Sequence, residues 1–271
     1  MSSVLATSAV FFAEGKGFES PGPNDFDLPP FFESVAWFTK PVLIVMLATL
    51  AIAVFYWASS RKAAVVPGRL QFAGESIYGF IRNDVALDAI GHQGLKFAPY
   101  LATLFSFIAL NNLAGIIPIL QFPATSHIAF PLVLAVFSWV IFLYLGIKRA
   151  GFVKYFKDMM FPPGIPIPVY FLLAPIEFFS TVIVRPVTLA LRLTFNMFAG
   201  HLVLLLFVLG GEYLLKDFEG GGNIIGIAAG SVSILGSIVL TFFEGFVQLL
   251  QAYVFTLLTA LYIGGALADE H

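Results

Sequence analysis

Cysteine is absent from the 271 residues, which excludes a disulfide framework, a thiolate metal site and a cysteine nucleophile. Charge is almost as scarce. Lys and Arg number 14 and Asp and Glu 16, so charged residues make up 11% of the chain, where soluble domains carry roughly a quarter. A chain this poor in charge and 59% hydrophobic cannot cover itself in water, and it reads as an all-α integral membrane protein. The net charge of −2 gives no basic field for nucleic acid, so partners are expected in or along the membrane lipid. No His-Glu-x-x-His, Gly-x-Ser-x-Gly or phosphate loop occurs, and neither a metal nor a cofactor is predicted. Residues Met1 to Phe12 lack the positive region of a secretory signal and are read as mature chain.

What charge there is divides the chain. Residues 1–40, with Glu14, Glu19, Asp25, Asp27 and Glu33, read as an N-terminal extracytoplasmic segment. The charge-free run 41–60 reads as the first transmembrane helix, opened by Pro41 and closed by Ser-Ser-Arg-Lys. Residues 65–94 read as a membrane-surface helix with Leu70, Ala73, Ile77 and Ile81 on one face, bent or frayed where the pattern fails at Asp84. The stretch 97–147 is long enough for a two-span hairpin turning at Pro118, Pro123 and Ala124 to His127. A basic loop, 148–164, follows with Lys148, Arg149, Lys154 and Lys157. Arg61, Lys62, Arg69 and Arg82 belong on the same side as that loop, which the positive-inside rule makes cytoplasmic.

The remainder reads as a hairpin of two long membrane helices, 165–215 and 224–268, joined by a turn at 216–223 with Gly220-Gly221-Gly222, and ending in a cytoplasmic tail, 269–271. From Pro175 to Leu215 alone a helix is about 60 Å long. A hydrocarbon core is only about 30 Å thick. The helix must therefore lie strongly tilted or break.

Inside these segments sit Glu177, Arg185, Arg192, His201 and Glu244. An arginine at bilayer depth costs about 2.5 to 3.5 kcal/mol on insertion scales, so such groups are kept with a partner or a wet cavity. Arg185, near the entrance of its span, reads first as a snorkelling cation. Arg192 lies seven residues further in, on the same face as Arg185 and close to Asn196, whereas His201 points almost the opposite way. One face thus presents a permanent cation, and the other a group that titrates near neutrality. The second long segment carries Ser233, Ser237, Thr241, Glu244, Gln248 and Gln251, spaced by four and three into a continuous polar stripe. For Ser233 and Ser237, near Gly226, Gly230 and Gly236, helix packing and a polar path are equally good readings. If the hairpin closes at the glycines, His201 and Glu244 lie at comparable distances from the turn and can face each other. Asp84 and Asp88, at i and i+4, offer a magnesium pair of the prenyl transferase kind, but a solvated helix face is the stronger reading. Asn111 and Asn112 are expected to bond to backbone where their span loosens, and His92 and His127 to be loop histidines.

The segment Arg185-Pro186-Val187-Thr188-Leu189-Ala190-Leu191-Arg192-Leu193-Thr194-Phe195-Asn196-Met197-Phe198-Ala199-Gly200-His201 resembles the signature of the a subunit (subunit 6) of F-type ATP synthases. Glu244 with Gln248 to Phe255, and Asn111 to Pro118, resemble two further signatures, so the likeness runs in order from about Val65 to the C-terminus. It implies a proton-translocating membrane subunit, non-catalytic by itself. Its last two helices form a long tilted hairpin against a rotating ring of c subunits. The resemblance makes Arg192 the essential arginine facing the c-subunit carboxylate, with Asn196 and Gln251 beside it and Gln248 in the same path. His201 and Glu244 match paired half-channel positions, with the two residue types exchanged relative to the common bacterial order. Arg185, Glu177, Thr241 and Ser237 take supporting places, the spacing from Glu177 to the Arg-Pro pair being one residue longer than is usual. The implied partners are the c-ring, b-type peripheral stalk subunits and, indirectly, the F1 sector. The implied location is the bacterial plasma membrane, with the N-terminus outside and the C-terminus cytoplasmic. The rival classes are a stand-alone ion channel or secondary transporter, for which an internal repeat of spans is missing, and a membrane-embedded enzyme, whose only candidate site is Asp84 and Asp88.

Overall fold

The computed structural model describes residues 18, 21–22, 39–61, 64–117, 123–161, 167–216 and 224–267. The expected N-terminal segment (apart from a few residues), Pro118, the prolines at 162–166, the turn at 217–223 and the tail at 268–271 lie outside them. Among the described residues the regular structure is entirely helical. The principal α-helices are α1 (Lys40–Ser60), α2 (Arg69–Phe80), α3 (Ala98–Leu113), α4 (Ala129–Ala150), α5 (Phe152–Met160), α6 (Ile167–Phe179), α7 (Arg185–Lys216) and α8 (Ile224–Leu267). Four helical stretches are long and apolar enough to cross a membrane: α1, α4, the 48 residues from Val169 to Lys216, and the 44 of α8.

The first half of the expected two-span hairpin is shorter than the charge pattern suggests. α3 has 16 residues, about 24 Å. Its end coincides with Asn111 and Asn112, whose amides take up hydrogen bonds that a longer apolar helix has no use for. Asn111 Nδ2 donates to the Phe107 carbonyl and Asn112 Nδ2 to the Gln248 carbonyl.

The surface helix is regular only to Phe80. From Ile81 to Leu87 the chain adopts a π-helical turn around Asp84, the point at which the apolar pattern fails. The packed face overlaps the one the pattern marks only in part: Ile81 is buried and Ala73 and Ile77 half-buried, but Leu70 is 48% exposed, and Gln71 and Gly74 are buried in its place. Asp84 and Asp88 are both exposed, and no group of three potential metal ligands occurs among the described residues.

A second π-helical turn, Ser180–Val184, joins α6 to α7. Its cause is local. Pro186 has no N–H and its ring crowds the preceding turn. The Arg185 N–H instead reaches the Ser180 carbonyl five residues back. The helical path is thus continuous, with a change of pitch just before Arg185.

The chain divides into two compact units, one holding residues 201–242 with the start of the chain, the other holding 28–200 and 243–271. The larger unit has two apolar cores. In one, Leu104, Ile108 and Ala109 of α3 and Ala135 of α4 pack with Leu189, Ala190, Leu193 and Met197 of α7 and Ala252 and Phe255 of α8. In the other, Ile81, Val85 and Ala86 of the first π-helical turn meet Ala98, Leu101 and Ala102 of α3 and Ala260 of α8. In the smaller unit the end of α7 and the start of α8 approach at Gly211 and Gly230, where added β-carbons would crowd the opposite backbone carbonyls. The Ser233 hydroxyl donates to the Phe207 carbonyl across this pair at 2.8 Å. That contact is helix packing.

Candidate functional site

Arg192 follows from the register of α7. The face built from Leu189, Leu193 and Met197 goes into the core, so Arg192, a quarter-turn before Leu193, is left exposed together with Phe195, Asn196 and Ala199. Among the described residues the guanidinium has no carboxylate beside it. One turn on, Asn196 Nδ2 donates to Gln251 Oε1 at 2.7 Å, joining the exposed arginine face of α7 to the buried stripe of α8.

Within the larger unit that stripe is buried at three successive polar positions: Glu244 is 6% exposed, Gln248 0% and Gln251 5%. Gln248 Nε2 donates to Glu244 Oε1 at 3.1 Å. Asn112 Nδ2 donates to the Gln248 carbonyl at 3.2 Å, and Thr125 Oγ1 donates to Asn112 Oδ1 at 2.7 Å. A polar line therefore runs from Glu244 through Gln248 and Asn112 to Thr125. Glu244 Oε2, Gln248 Oε1 and Gln251 Nε2 are buried with no hydrogen-bond partner among the described residues. Buried polar atoms are normally satisfied, so three orphaned atoms on one stripe are unusual. Gly200 of α7 lies against this carboxyl: a β-carbon added there would come within 3.2 Å of Glu244 Oε1.

His201, the residue after Gly200, is 9% exposed and falls in the smaller unit. In that unit Ser237 Oγ donates to the Ile234 carbonyl and Thr241 Oγ1 to the Ser237 carbonyl, each at 2.8 Å. Both hydroxyls are thereby turned onto their own helix. Glu177 is half-buried on α6. Arg185 sits over the Tyr262 ring of α8 at 5.3 Å, a cation–π contact. The arginine is held by a tertiary neighbour, which the snorkelling expectation did not include. Asn112 and Thr125 are the residues sequence reasoning undervalued. The Asn-Asn pair was visible as a signal, but its tie to Gln248 spans 136 positions.

Membrane-length apolar helices that carry a buried line of amides and a carboxyl, with Arg192 exposed on one of them, are those of an integral membrane protein. The chain belongs to the family described as ATP synthase A chain, whose model matches residues 42–264. It is 51% identical to the ATP synthase subunit a of a Nocardioides species over 98% of this chain and 99% of that one. It is 46% identical to the Frankia alni subunit a (94% of this chain, 89% of that one) and 45% identical to that of Streptomyces lividans (95% and 91%).

Proposed function

We propose that the chain is the proton-translocating a subunit in the Fo sector of an F-type ATP synthase, supplying two aqueous half-channels and the arginine between them. The observation that carries this reading is the exposed placement of Arg192 on an apolar helix, one turn before the Asn196–Gln251 hydrogen bond. A cation so placed needs an anionic partner outside the chain, and a carboxylate on each passing subunit of a c-ring supplies one. A self-contained channel or transporter would turn such a residue inward.

The chain's own part is electrostatic. A guanidinium does not deprotonate, so Arg192 attracts an ionised carboxylate and bars protons from crossing through its own site. Each proton crossing the membrane potential gains about 2.3 kcal/mol per 100 mV, and a leak past the arginine would dissipate that drive. A carboxylate leaving the arginine must first take up a proton. Glu244 and Gln248 line one half-channel, with Asn112 and Thr125 extending it, and their unpartnered oxygens support this role. The family resemblance assigns His201 to a half-channel as well. Arg185, Glu177, Thr241 and Ser237 take supporting places in proton translocation. The complex comprises the c-ring and b-type peripheral stalk subunits, with F1 reached indirectly. In the bacterial plasma membrane the N-terminus lies outside and the C-terminus in the cytoplasm.

The test is Arg192→Ala in the assembled complex. ATP synthesis driven by a proton gradient in inverted vesicles falls to background, and normal coupled synthesis would overturn the assignment.

A further inference from the structure

Apart from the residues assigned to the proton path, the structure holds a basic and apolar face. It begins at the end of α4, where Lys148 and Arg149 are exposed. Gly151, at φ +84°, turns the chain sharply into α5. One side of α5 is tied down. The Tyr155 ring occupies the space over Gly146, where a β-carbon would overlap it, and the Phe156 ring meets Phe178 at 6.3 Å. Burial pushes the Tyr155 hydroxyl above the ordinary tyrosine range, partly offset by the charge of Arg185. Anchored this way, α5 turns Phe152 (65% exposed), Val153 (78%), Lys154 and Lys157 outward.

Lysines beside large exposed apolar side chains on one short helix are the chemistry of a helix lying in a membrane interface. The level of that interface is marked independently. Lys148 Nζ lies 5.7 Å from the Tyr144 ring one turn earlier on α4, and at the end of α1 Arg61 lies 4.8 Å from the Trp57 ring at the same spacing. Aromatic rings under cations at helix ends are interfacial anchors. From Lys148 to Phe161 the sequence holds four cations and one acid, Asp158. Among the described residues Lys154 and Lys157 form no ion pair with a carboxylate.

We infer that the outward face of α5, with Lys148 and Arg149 at the end of α4, is a docking surface for the headgroups of anionic phospholipids. The charge is complementary to their phosphates, and Phe152 and Val153 enter the acyl boundary beside them. A free phosphate would leave those two side chains in water. The proposal does not depend on the role of Arg192.

The test uses the full chain purified in its complex in detergent. Phosphatidylglycerol or phosphatidylcholine is added, and bound lipid is counted by native mass spectrometry. Preferential retention of phosphatidylglycerol is expected. A basic residue at an anionic surface is worth about fivefold, so Lys154→Gln with Lys157→Gln weakens retention roughly 25-fold, while the double Arg variant keeps it. Excess inorganic phosphate does not compete. In the unaltered protein, phosphatidylglycerol shields Lys154 and Lys157 from an amine-reactive label, a readout that survives if the variant fails to assemble. Equal retention of the two lipids, no effect of the Gln pair, or displacement by inorganic phosphate would overturn the proposal. Shielding of both lysines in the lipid-free complex would do the same, assigning the face to a protein subunit.

Discussion

Arg185 and Arg192 stand two helical turns apart on α7 and are treated differently by their surroundings. Arg185 rests on the Tyr262 ring, while Arg192 stays exposed beside Asn196. Helical spacing alone puts both on one face, and the difference comes from the neighbour that α8 brings to the first of them. Glu244 shows the same dependence. Its position in the stripe follows from the spacing of polar residues, but its close contact with Gly200 does not. That contact carries a prediction. With a β-carbon already 3.2 Å from Oε1, Gly200→Leu must push the carboxyl aside, and proton-driven ATP synthesis is expected to fall at least tenfold, about 1.4 kcal/mol. Gly200→Ala should lose less, and acridine-dye quenching in inverted vesicles distinguishes the two.

Helices were easier to read than their irregularities. Charge-free runs and apolar composition place α1, α4 and the two long stretches, because bilayer thickness demands them. The π-helical turns at Ile81–Leu87 and Ser180–Val184 left weaker marks: a failing pattern at Asp84 and a proline at position 186. The loosening of α3 at Asn111 and Asn112 was legible, and Asn111 bonds to the nearby Phe107 carbonyl as expected, whereas the Gln248 partner of Asn112 lies on a distant helix. The junction of α4 and α5 was legible only as a basic loop. Its geometry depends on Gly151 at φ +84°, a backbone state that costs other L-residues roughly 1 kcal/mol or more. Gly151→Ala is accordingly expected to destabilise by about that amount, seen as earlier thermal release of the subunit from the purified complex. Gly151→Asn should be no milder, because ψ 152° lies outside the left-handed helical region that asparagine tolerates.

The proposed sidedness rests on cations that gather at the ends of α1 and α4. Absence of cysteine makes this testable without background labelling. A cysteine replacing Lys154 should react with a membrane-impermeant maleimide in inverted vesicles and not in right-side-out cells. A cysteine at Ile128, which is 50% exposed at the other end of α4, should show the reverse. Matching labelling of both positions from one side would contradict the orientation.

Composition and spacing by themselves determined that this is a helical membrane protein, and they singled out Arg192, His201 and Glu244 as its exceptional residues. They could do so because lipid acts on every residue locally: an apolar run of given length is a span, and a charge within it needs a reason. Only the tertiary structure decided which side chains of different helices meet. Tyr262 under Arg185, Gln251 against Asn196, Asn112 on Gln248 and Gly200 on Glu244 are pairings between distant helices. Helical periodicity specifies a face, but the residue opposite that face is chosen by how the helices pack.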